Sequence, residues 1–211
     1  MADPQEGTLW VVRQLADPAN AITSFGLGLS IVAISLVLFD HLELAVSTAL
    51  WALLADHLDG LVAERTRNRA TVTGQVGKNL DSLADLVSAG VFPGVLLTKI
   101  ANGEPWAVAI AIILGLASAL RLSYFNSVGL DGRNFIGLPT TYTLPVVAAV
   151  FLLSPLAARS ALGPILAVAL LAVASLHVSS LRVPTTHGFG YVLILIYCVS
   201  SSALLALRSL T

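Results

Sequence analysis

Charged side chains are scarce in this sequence of 211 residues, where lysine, arginine, aspartate and glutamate together make up 11%. The hydrophobic share is 56% and the mean hydropathy is +0.88, values that exclude an ordinary water-soluble globular protein of this size. Eleven basic residues stand against twelve acidic ones, so the chain lacks the basic excess that nucleic-acid binding requires. We therefore expect no nucleic-acid partner.

Cysteine is almost absent as well. Cys198 is the one cysteine, so an intramolecular disulfide is excluded, and it lies in an apolar run. The N-terminal stretch MADPQEGTLW has no basic segment followed by an apolar core, so we expect no cleavable signal peptide. No internal repeat of the kind found in many transporters is visible, and we expect a single domain over residues 1–211.

Long uncharged runs dominate what is present. A helix of about 20 apolar residues crosses the hydrocarbon of a bilayer, so these runs predict an all-α, polytopic membrane helix bundle with six to seven transmembrane helices. The predicted spans cover about residues 20–39, 43–66, 77–100, 105–127, 138–157, 161–182 and 188–208. Before them, residues 8–15 (TLWVVRQL) predict a short amphipathic helix at the membrane interface.

The basic residues indicate the orientation of the bundle. Grouping the longer polar links on one side places Arg13, Arg65, Arg67, Arg69, Lys78, Arg121, Arg133 and Arg182 there. Only Lys99, Arg159 and Arg208 lie opposite. Because cytoplasmic links carry the excess of lysine and arginine, we expect an integral protein of the cell membrane whose longer links face the cytoplasm.

Four aspartates lie in segments that should be apolar: Asp56, Asp59, Asp81 and Asp85. An ionised group near the bilayer centre costs about 2.5 to 3.5 kcal/mol on insertion scales, so such residues indicate function. At about 100° per residue, Asp59 lies about 60° from Asp56, and Asp85 about 40° from Asp81, so each pair shares one helix face. Converging carboxylates predict a site for a hard divalent cation, Mg²⁺ or Mn²⁺, with positions free for phosphate oxygens.

The segments around these acids resemble a known signature. DHLDGLVA (residues 56–63) and GKNLDSLAD (residues 77–85) are similar to the pattern D-x2-D-G-x2-A-R, then G-x3-D-x3-D, of the CDP-alcohol phosphotransferase family. The stretches LDSLADLVSAGVFPG, RLSYFN, FIGLPTTYT and VSSLRVPT resemble those of its bacterial and archaeal phosphatidylserine synthases. The resemblance implies transfer of a phosphatidyl group from CDP-diacylglycerol, or its counterpart CDP-archaeol, to the hydroxyl of L-serine, with release of CMP. It also implies a homodimer.

The same resemblance implies roles for individual residues. Asp56, Asp59, Asp81 and Asp85 would form the site for two divalent ions, and Asp85 would also act as general base. The nucleotide and its diphosphate would be bound at Asp56, Gly60, Ala63 and Gly77. Small residues are also the usual contacts between membrane helices, so packing remains an alternative role for the glycines and the alanine.

One position departs from the pattern. Glu64 stands where the family has arginine, and the twelve residues between it and Gly77 form a longer spacer than the family usually has. If the helix continues past Glu64, Arg67 returns to within about 20° of Asp56, whereas Arg65 faces away. We therefore predict that Arg67 contacts the diphosphate. The alternative is that Arg65, Arg67 and Arg69 form a solvated cluster that sets topology.

Other polar residues lie near the ends of the spans. Arg121, Arg133 and Arg182 could bind the lipid phosphate or the serine carboxylate, because a guanidinium forks onto such oxyanions. Their alternative role is to reach the lipid headgroups, and the matching motifs favour function at Arg133 and Arg182. We also predict that His177 lies at the membrane interface and that Asn20 caps the first span.

Several readings stay open. The acceptor could be another alcohol, such as glycerol phosphate, inositol phosphate or choline, and the change at Glu64 is compatible with a weakened or inactive homologue. A cation transporter also uses carboxylates within the membrane. The acids lie near one face instead of at the midplane, and neither acid-bearing helix is broken by proline at the acids, which favours the enzyme over the transporter.

Overall fold

The computed structural model describes residues 10–66, 69–156, 158–185 and 189–210. Within these residues the chain is almost entirely helical, which confirms the predicted class. The α-helices are α1 (Pro18–Leu38), α2 (Leu42–Arg65), α3 (Thr71–Asp85), α4 (Phe92–Ile100), α5 (Pro105–Val128), α6 (Thr143–Leu153), α7 (Leu162–His177) and α8 (Phe189–Arg208). Two short strands, β1 (Asn134–Ile136) and β2 (Arg182–Pro184), form an antiparallel pair with Phe135 opposite Val183.

A π-helical segment, Leu86–Val91, joins α3 to α4, so the two helices form one rod over Thr71–Ile100. With this rod, each of the seven predicted spans overlaps a described helix, but α6 and α7 are shorter than the spans predicted at 138–157 and 161–182. Among them, five are long and apolar enough to cross a membrane, whereas Thr140–Leu156 and Leu162–His177 are shorter apolar segments. The chain is therefore a polytopic helical membrane protein. The third span begins at Thr71 instead of residue 77, because the mixed sequence TVTGQV is helical without being an apolar run.

The chain enters the bundle through a short 3-10 helix, Val11–Ala16, which corresponds in part to the amphipathic helix predicted over residues 8–15. The first two residues of that prediction lie outside the described residues. At the start of α1 the capping residue is Asp17, whose carboxylate accepts a hydrogen bond from the Asn20 backbone N–H at 3.0 Å. The prediction that Asn20 caps this helix is therefore wrong. The Asn20 side chain is buried and its amide donates to the carbonyl of Gln14.

The core is built around α2, which packs against α1, α6 and α8. Its central residues are fully buried, as are large side chains of other helices; examples are Ala49, Leu50, Phe92, Phe151 and Leu166. Small residues allow close approach between helices, since a Cβ at Gly26 of α1 would lie 3.1 Å from the Cβ of Ala55 in α2.

The links fall at two ends of the bundle, as the sequence predicted. At the end with the shorter links, Lys99 pairs with Asp40 at 2.9 Å, and Arg208 donates to the carbonyls of Phe151 and Leu152. At the other end, the β1–β2 pair ties the α5–α6 link to the α7–α8 link. The four aspartates lie at this second end, which we call the site end.

His177 ends α7 at the site end, and its side chain is buried within the helix bundle. Its predicted place at the membrane interface stays a prediction. The residue is only 2% exposed. Its Nδ1 lies 2.9 Å from the carbonyl oxygen of Leu138, and its Nε2 lies 3.2 Å from Oγ1 of Thr143. The ring is buried because both of its nitrogens have partners in the segment that leads into α6.

Candidate active site

The four aspartates come from two helices that are consecutive in the chain. Asp56 and Asp59 lie in the last turns of α2, and Asp81 and Asp85 lie in the second half of α3. Because the link between these helices is short, both pairs are held at the site end. Carboxylate oxygens of Asp56, Asp59 and Asp81 lie within 4.8 Å of one another. The structure thus brings three of the predicted metal ligands together, and Asp85 lies outside that set of three.

Two threonines orient two of the acids. Asp59 is 5% exposed and accepts a hydrogen bond from the hydroxyl of Thr23 in α1. Asp85 accepts a hydrogen bond at Oδ2 from Oγ1 of Thr140, at 2.9 Å, just before α6 begins. Neither threonine was predicted from the sequence. Thr140 lies in the quoted stretch FIGLPTTYT, so the resemblance marked its segment without marking its role.

The carboxylates have little positive charge beside them. Over the described ranges, no lysine or arginine nitrogen lies within 4.0 Å of any of the four. The nearest basic group is His57, whose Nδ1 lies 3.7 Å from Asp56 but also 2.9 Å from the carbonyl of Leu53. Carboxylates this close repel one another, and an oxygen-only donor set is what Mg²⁺ and Mn²⁺ prefer. The residues present therefore fit a divalent cation.

The acids line a cavity of about 860 Å³ at the site end. Side chains from α1, α2, α3, α5, α8 and the start of α6 form its walls, and the predicted small residues Gly60, Ala63 and Gly77 are among them. A Cβ at Gly60 would meet no described atom within 4 Å, so this glycine borders open space. Gly77 differs, because it faces the side chains of Asn20 and Arg69. The cavity is large enough for a nucleotide.

Arg121 of α5 is the basic residue that the structure buries in this cavity. It is 5% exposed, and its guanidinium lies 5.3 Å from the ring centre of Phe125 and 5.5 Å from that of Phe135. Its Nε has no hydrogen-bond partner among the described residues. A buried donor without a partner is costly, and cation–π contacts stabilise the charge without satisfying that donor. This geometry suits an anionic ligand. The two phenylalanines were missed, since nothing in the local sequence pairs them.

Arg133 and Arg182, which the motifs favoured over Arg121, lie elsewhere. Neither is among the residues that line the cavity. Both are exposed in or beside the β1–β2 pair, where Arg182 Nε donates to Asp131 at 2.9 Å. The structure brings Arg121 to the site and does not bring Arg133 or Arg182 there.

Arg67 lies outside the described residues, so its predicted contact with the diphosphate stays a prediction. The helix does not carry Arg67 onto the face of Asp56, however, because α2 ends at Arg65. Thr66 already has extended backbone angles, φ −78° and ψ 105°, so helical periodicity does not extend to Arg67. Glu64 is exposed and borders the cavity, and Arg69 also lines it instead of belonging to a fully solvated cluster.

The fold and the site together define a polytopic membrane protein with a carboxylate cluster in a large cavity at one end of its helix bundle. The family model described as CDP-alcohol phosphatidyltransferase matches residues 17–179. The chain belongs to the CDP-alcohol phosphatidyltransferase family.

Curated relatives carry more specific names. Archaetidylserine synthase of Methanothermobacter thermautotrophicus is 34% identical over 160 residues, which is 75% of this chain and 66% of that protein. A CDP-diacylglycerol–serine O-phosphatidyltransferase of Methanocaldococcus jannaschii is 35% identical over 132 residues, 62% of this chain and 58% of the relative. The protein of that name from Saccharomyces cerevisiae is 40% identical over 102 residues, 44% of this chain and 35% of its own length. The chain thus spans about two thirds or less of these relatives.

Proposed function

We propose that this chain transfers a phosphatidyl group from CDP-diacylglycerol, or the corresponding ether-lipid group from CDP-archaeol, to the hydroxyl of L-serine and releases CMP. The observation that carries the proposal is the convergence of Asp56, Asp59 and Asp81 within 4.8 Å on the wall of a cavity of about 860 Å³. Membership in the family supports this chemistry, and the serine acceptor in the names of the relatives supports the choice of alcohol. Family membership also favours an enzyme over a cation transporter.

Asp56, Asp59 and Asp81 would hold the divalent cations, two of them by resemblance to the family. Bound there, the cations would neutralise the donor's diphosphate and the charge that develops on departing CMP. The chain's contribution is to keep the donor oxygens in place. Thr23 fixes the carboxylate of Asp59 by its hydrogen bond, so the ligand set is organised before substrate arrives.

Asp85 would act as the general base. Its Oδ2 accepts a hydrogen bond from Thr140, and its Oδ1 would take the proton of the serine hydroxyl. As the serine oxygen attacks the phosphorus on the lipid side, a new P–O bond forms and the bond from that phosphorus to the CMP oxygen breaks. The proton passes from serine to Asp85.

Arg121 would bind the carboxylate of the serine acceptor. Its guanidinium lies beside the rings of Phe125 and Phe135, in the cavity that Thr140 and Asp85 also line. A guanidinium binds a carboxylate with paired hydrogen bonds, and the unpartnered Nε would gain an acceptor. Serine bound in this way would share the cavity with the carboxylate of Asp85. The placement of Arg133 and Arg182 outside the cavity makes Arg121 the better candidate of the three.

The remaining features follow the charge distribution and the family. The site end would face the cytoplasm in the cell membrane, because the described basic residues are more numerous there than at the opposite end. Serine and nucleotides are water-soluble, and a cytoplasmic site end gives them access. A homodimer is proposed from the family resemblance alone.

Acceptor choice tests the proposed reaction directly. Purified protein in detergent micelles with Mg²⁺ and CDP-diacylglycerol is expected to release CMP with L-serine. Ethanolamine, which is serine without its carboxylate, should react at least about tenfold more slowly because it cannot pair with Arg121. Chromatographic measurement of CMP gives the rates. Release of CMP with glycerol 3-phosphate, inositol phosphate or choline, but none with serine, would show that the acceptor is assigned wrongly.

Gly60→Ala tests whether the cavity beside α2 holds the nucleotide. The added methyl group meets no described atom within 4 Å, and alanine is the better helix former, so the melting temperature should not fall. If the nucleotide lies against Gly60, the Kd for CDP in isothermal titration calorimetry should rise severalfold. Gly28→Ala in α1, which also borders open space but lies outside the cavity lining, serves as the control. Equal Kd values for both variants would contradict the placement.

A further inference from the structure

Arg69 lies in the short link between α2 and α3, and its guanidinium is held by three hydrogen bonds. Nε and Nη2 donate to the two oxygens of Asp17 at 3.0 and 2.8 Å, and Nη2 also donates to Oδ1 of Asn20 at 2.6 Å. The side chains are largely buried, with 18% of Arg69 and 9% of Asp17 exposed. A bidentate pair of this kind fixes the orientation of the guanidinium plane.

The glycine of the second signature segment is explained by this arrangement. A Cβ on Gly77 would come within 3 Å of Asn20 Oδ1 and Arg69 Nη2, so a larger residue would displace them. Gly77 therefore allows α3 to pass directly beside the guanidinium. The missing side chain at Gly77 makes space for the side chains of Arg69 and Asn20, and not for the ligand itself.

The guanidinium of Arg69 also has N–H groups without an acceptor among the described residues. No described residue accepts a hydrogen bond from its Nη1, which carries two N–H groups. Arg69 lines the same cavity as the aspartates. Its partners bind the Nε and Nη2 edge, which leaves the Nη1 group for a ligand. An arginine that is fixed before binding loses little conformational entropy when it contacts an anion.

We propose that Arg69 binds the diphosphate of the CDP-linked donor and takes the place of the arginine that the family pattern has at position 64. In this chain position 64 is glutamate, and it is exposed at the cavity edge. The longer spacer between position 64 and Gly77 includes Arg69, and Asp17 and Asn20 at the start of α1 hold its guanidinium. The inference rests on the proposed function, because it assigns a residue to the donor of that reaction.

The test is the binding of CDP, the headgroup of the donor without its lipid, to detergent-purified full-length protein in Mg²⁺. Calorimetry should show that Arg69→Ala raises the Kd for CDP by about tenfold or more, the scale of one lost charge-assisted contact. Arg65→Ala is the matched control, since Arg65 ends α2 with an exposed side chain and should leave the Kd unchanged.

Asp17→Asn tests whether Arg69 contacts the ligand or only holds the structure through its hydrogen bonds to Asp17 and Asn20, which we call the clamp. This variant weakens the clamp but retains the arginine and its charge, so the Kd should change by less than about threefold. If the clamp alone mattered, Asp17→Asn and Arg69→Ala would weaken CDP binding equally. That result, or an unchanged Kd in Arg69→Ala, would overturn the proposal.

Two further measurements keep the result decisive. If Arg69→Ala does not fold, Arg69→Lys retains the charge without the fork and should bind CDP severalfold more weakly at an unchanged melting temperature; wild-type affinity in that variant would overturn the proposal. If the wild-type protein itself binds no CDP, the proposed function fails together with this inference. If the wild-type protein binds CDP and Arg69→Ala leaves the Kd unchanged, only this inference fails.

Discussion

Asp85→Asn is expected to lower kcat for CMP release by roughly 10²- to 10⁴-fold, the usual contribution of a general base. Asparagine has nearly the shape of aspartate and can still accept the hydrogen bond from Thr140, so the local structure should persist. It cannot take the proton of the serine hydroxyl. Because Asp85 lies outside the set of three acids within 4.8 Å, CDP binding should change far less than kcat.

Asp40→Asn is the matched control for that measurement. Asp40 lies at the opposite end of the bundle, where it pairs with Lys99, and asparagine tolerates its positive φ of 66°. Exposed pairs of this kind contribute at most about 1 kcal/mol, so both kcat and folding should be close to wild type. Turnover at the wild-type rate in Asp85→Asn would show that another group removes the proton.

Removal of divalent ions should abolish the reaction. In EDTA the protein is expected to release no CMP, and Mg²⁺ or Mn²⁺ in excess should restore the rate, because clustered carboxylates cannot receive a diphosphate without added positive charge. Binding should also be visible without substrate. Free Mn²⁺ at 100 times its Kd stabilises a folded protein by about 2.7 kcal/mol, which raises the melting temperature.

Asp56→Asn provides the control for specific binding. Removal of one ligand from the set of three should reduce the Mn²⁺-dependent rise in melting temperature, whereas Asp40→Asn should retain it. A rise that is equal in both variants would indicate nonspecific ion binding. Full activity in EDTA would show that the reaction needs no divalent cation.

The helices were predictable because the signal for a membrane span is local. An apolar run of sufficient length indicates a span wherever the rest of the chain lies, and α1, α5 and α8 each follow such a run. The shared faces of Asp56 with Asp59 and of Asp81 with Asp85 were also local, since they depend only on helical periodicity. That three of these acids converge follows from two adjacent helices meeting at one end.

The partners of the site were not predictable in the same way. Arg69 meets Asp17 across 52 positions, and Thr140 meets Asp85 across 55, so only the packed bundle brings them together. The prediction at Arg67 assumed that α2 continues past Glu64 as far as Arg67. Helical periodicity applies only within a helix, and α2 ends at Arg65. His177 gave no local sign that both ring nitrogens would be satisfied within the fold.

The π-helical segment Leu86–Val91 has a consequence for the rod in which it lies. Such a turn holds one residue more than an α-helical turn, which rotates the second half of the rod by about 100° relative to an uninterrupted helix. Asp81 and Asp85 precede it, and the buried residues Phe92 and Leu96 follow it. The extra residue in this turn therefore sets the direction in which Phe92 and Leu96 point relative to Asp81 and Asp85. Conversion of the segment to α-helix with all of its residues retained would turn Phe92 and Leu96 by about 100° relative to Asp81 and Asp85, and would move one of the two sets away from its partners.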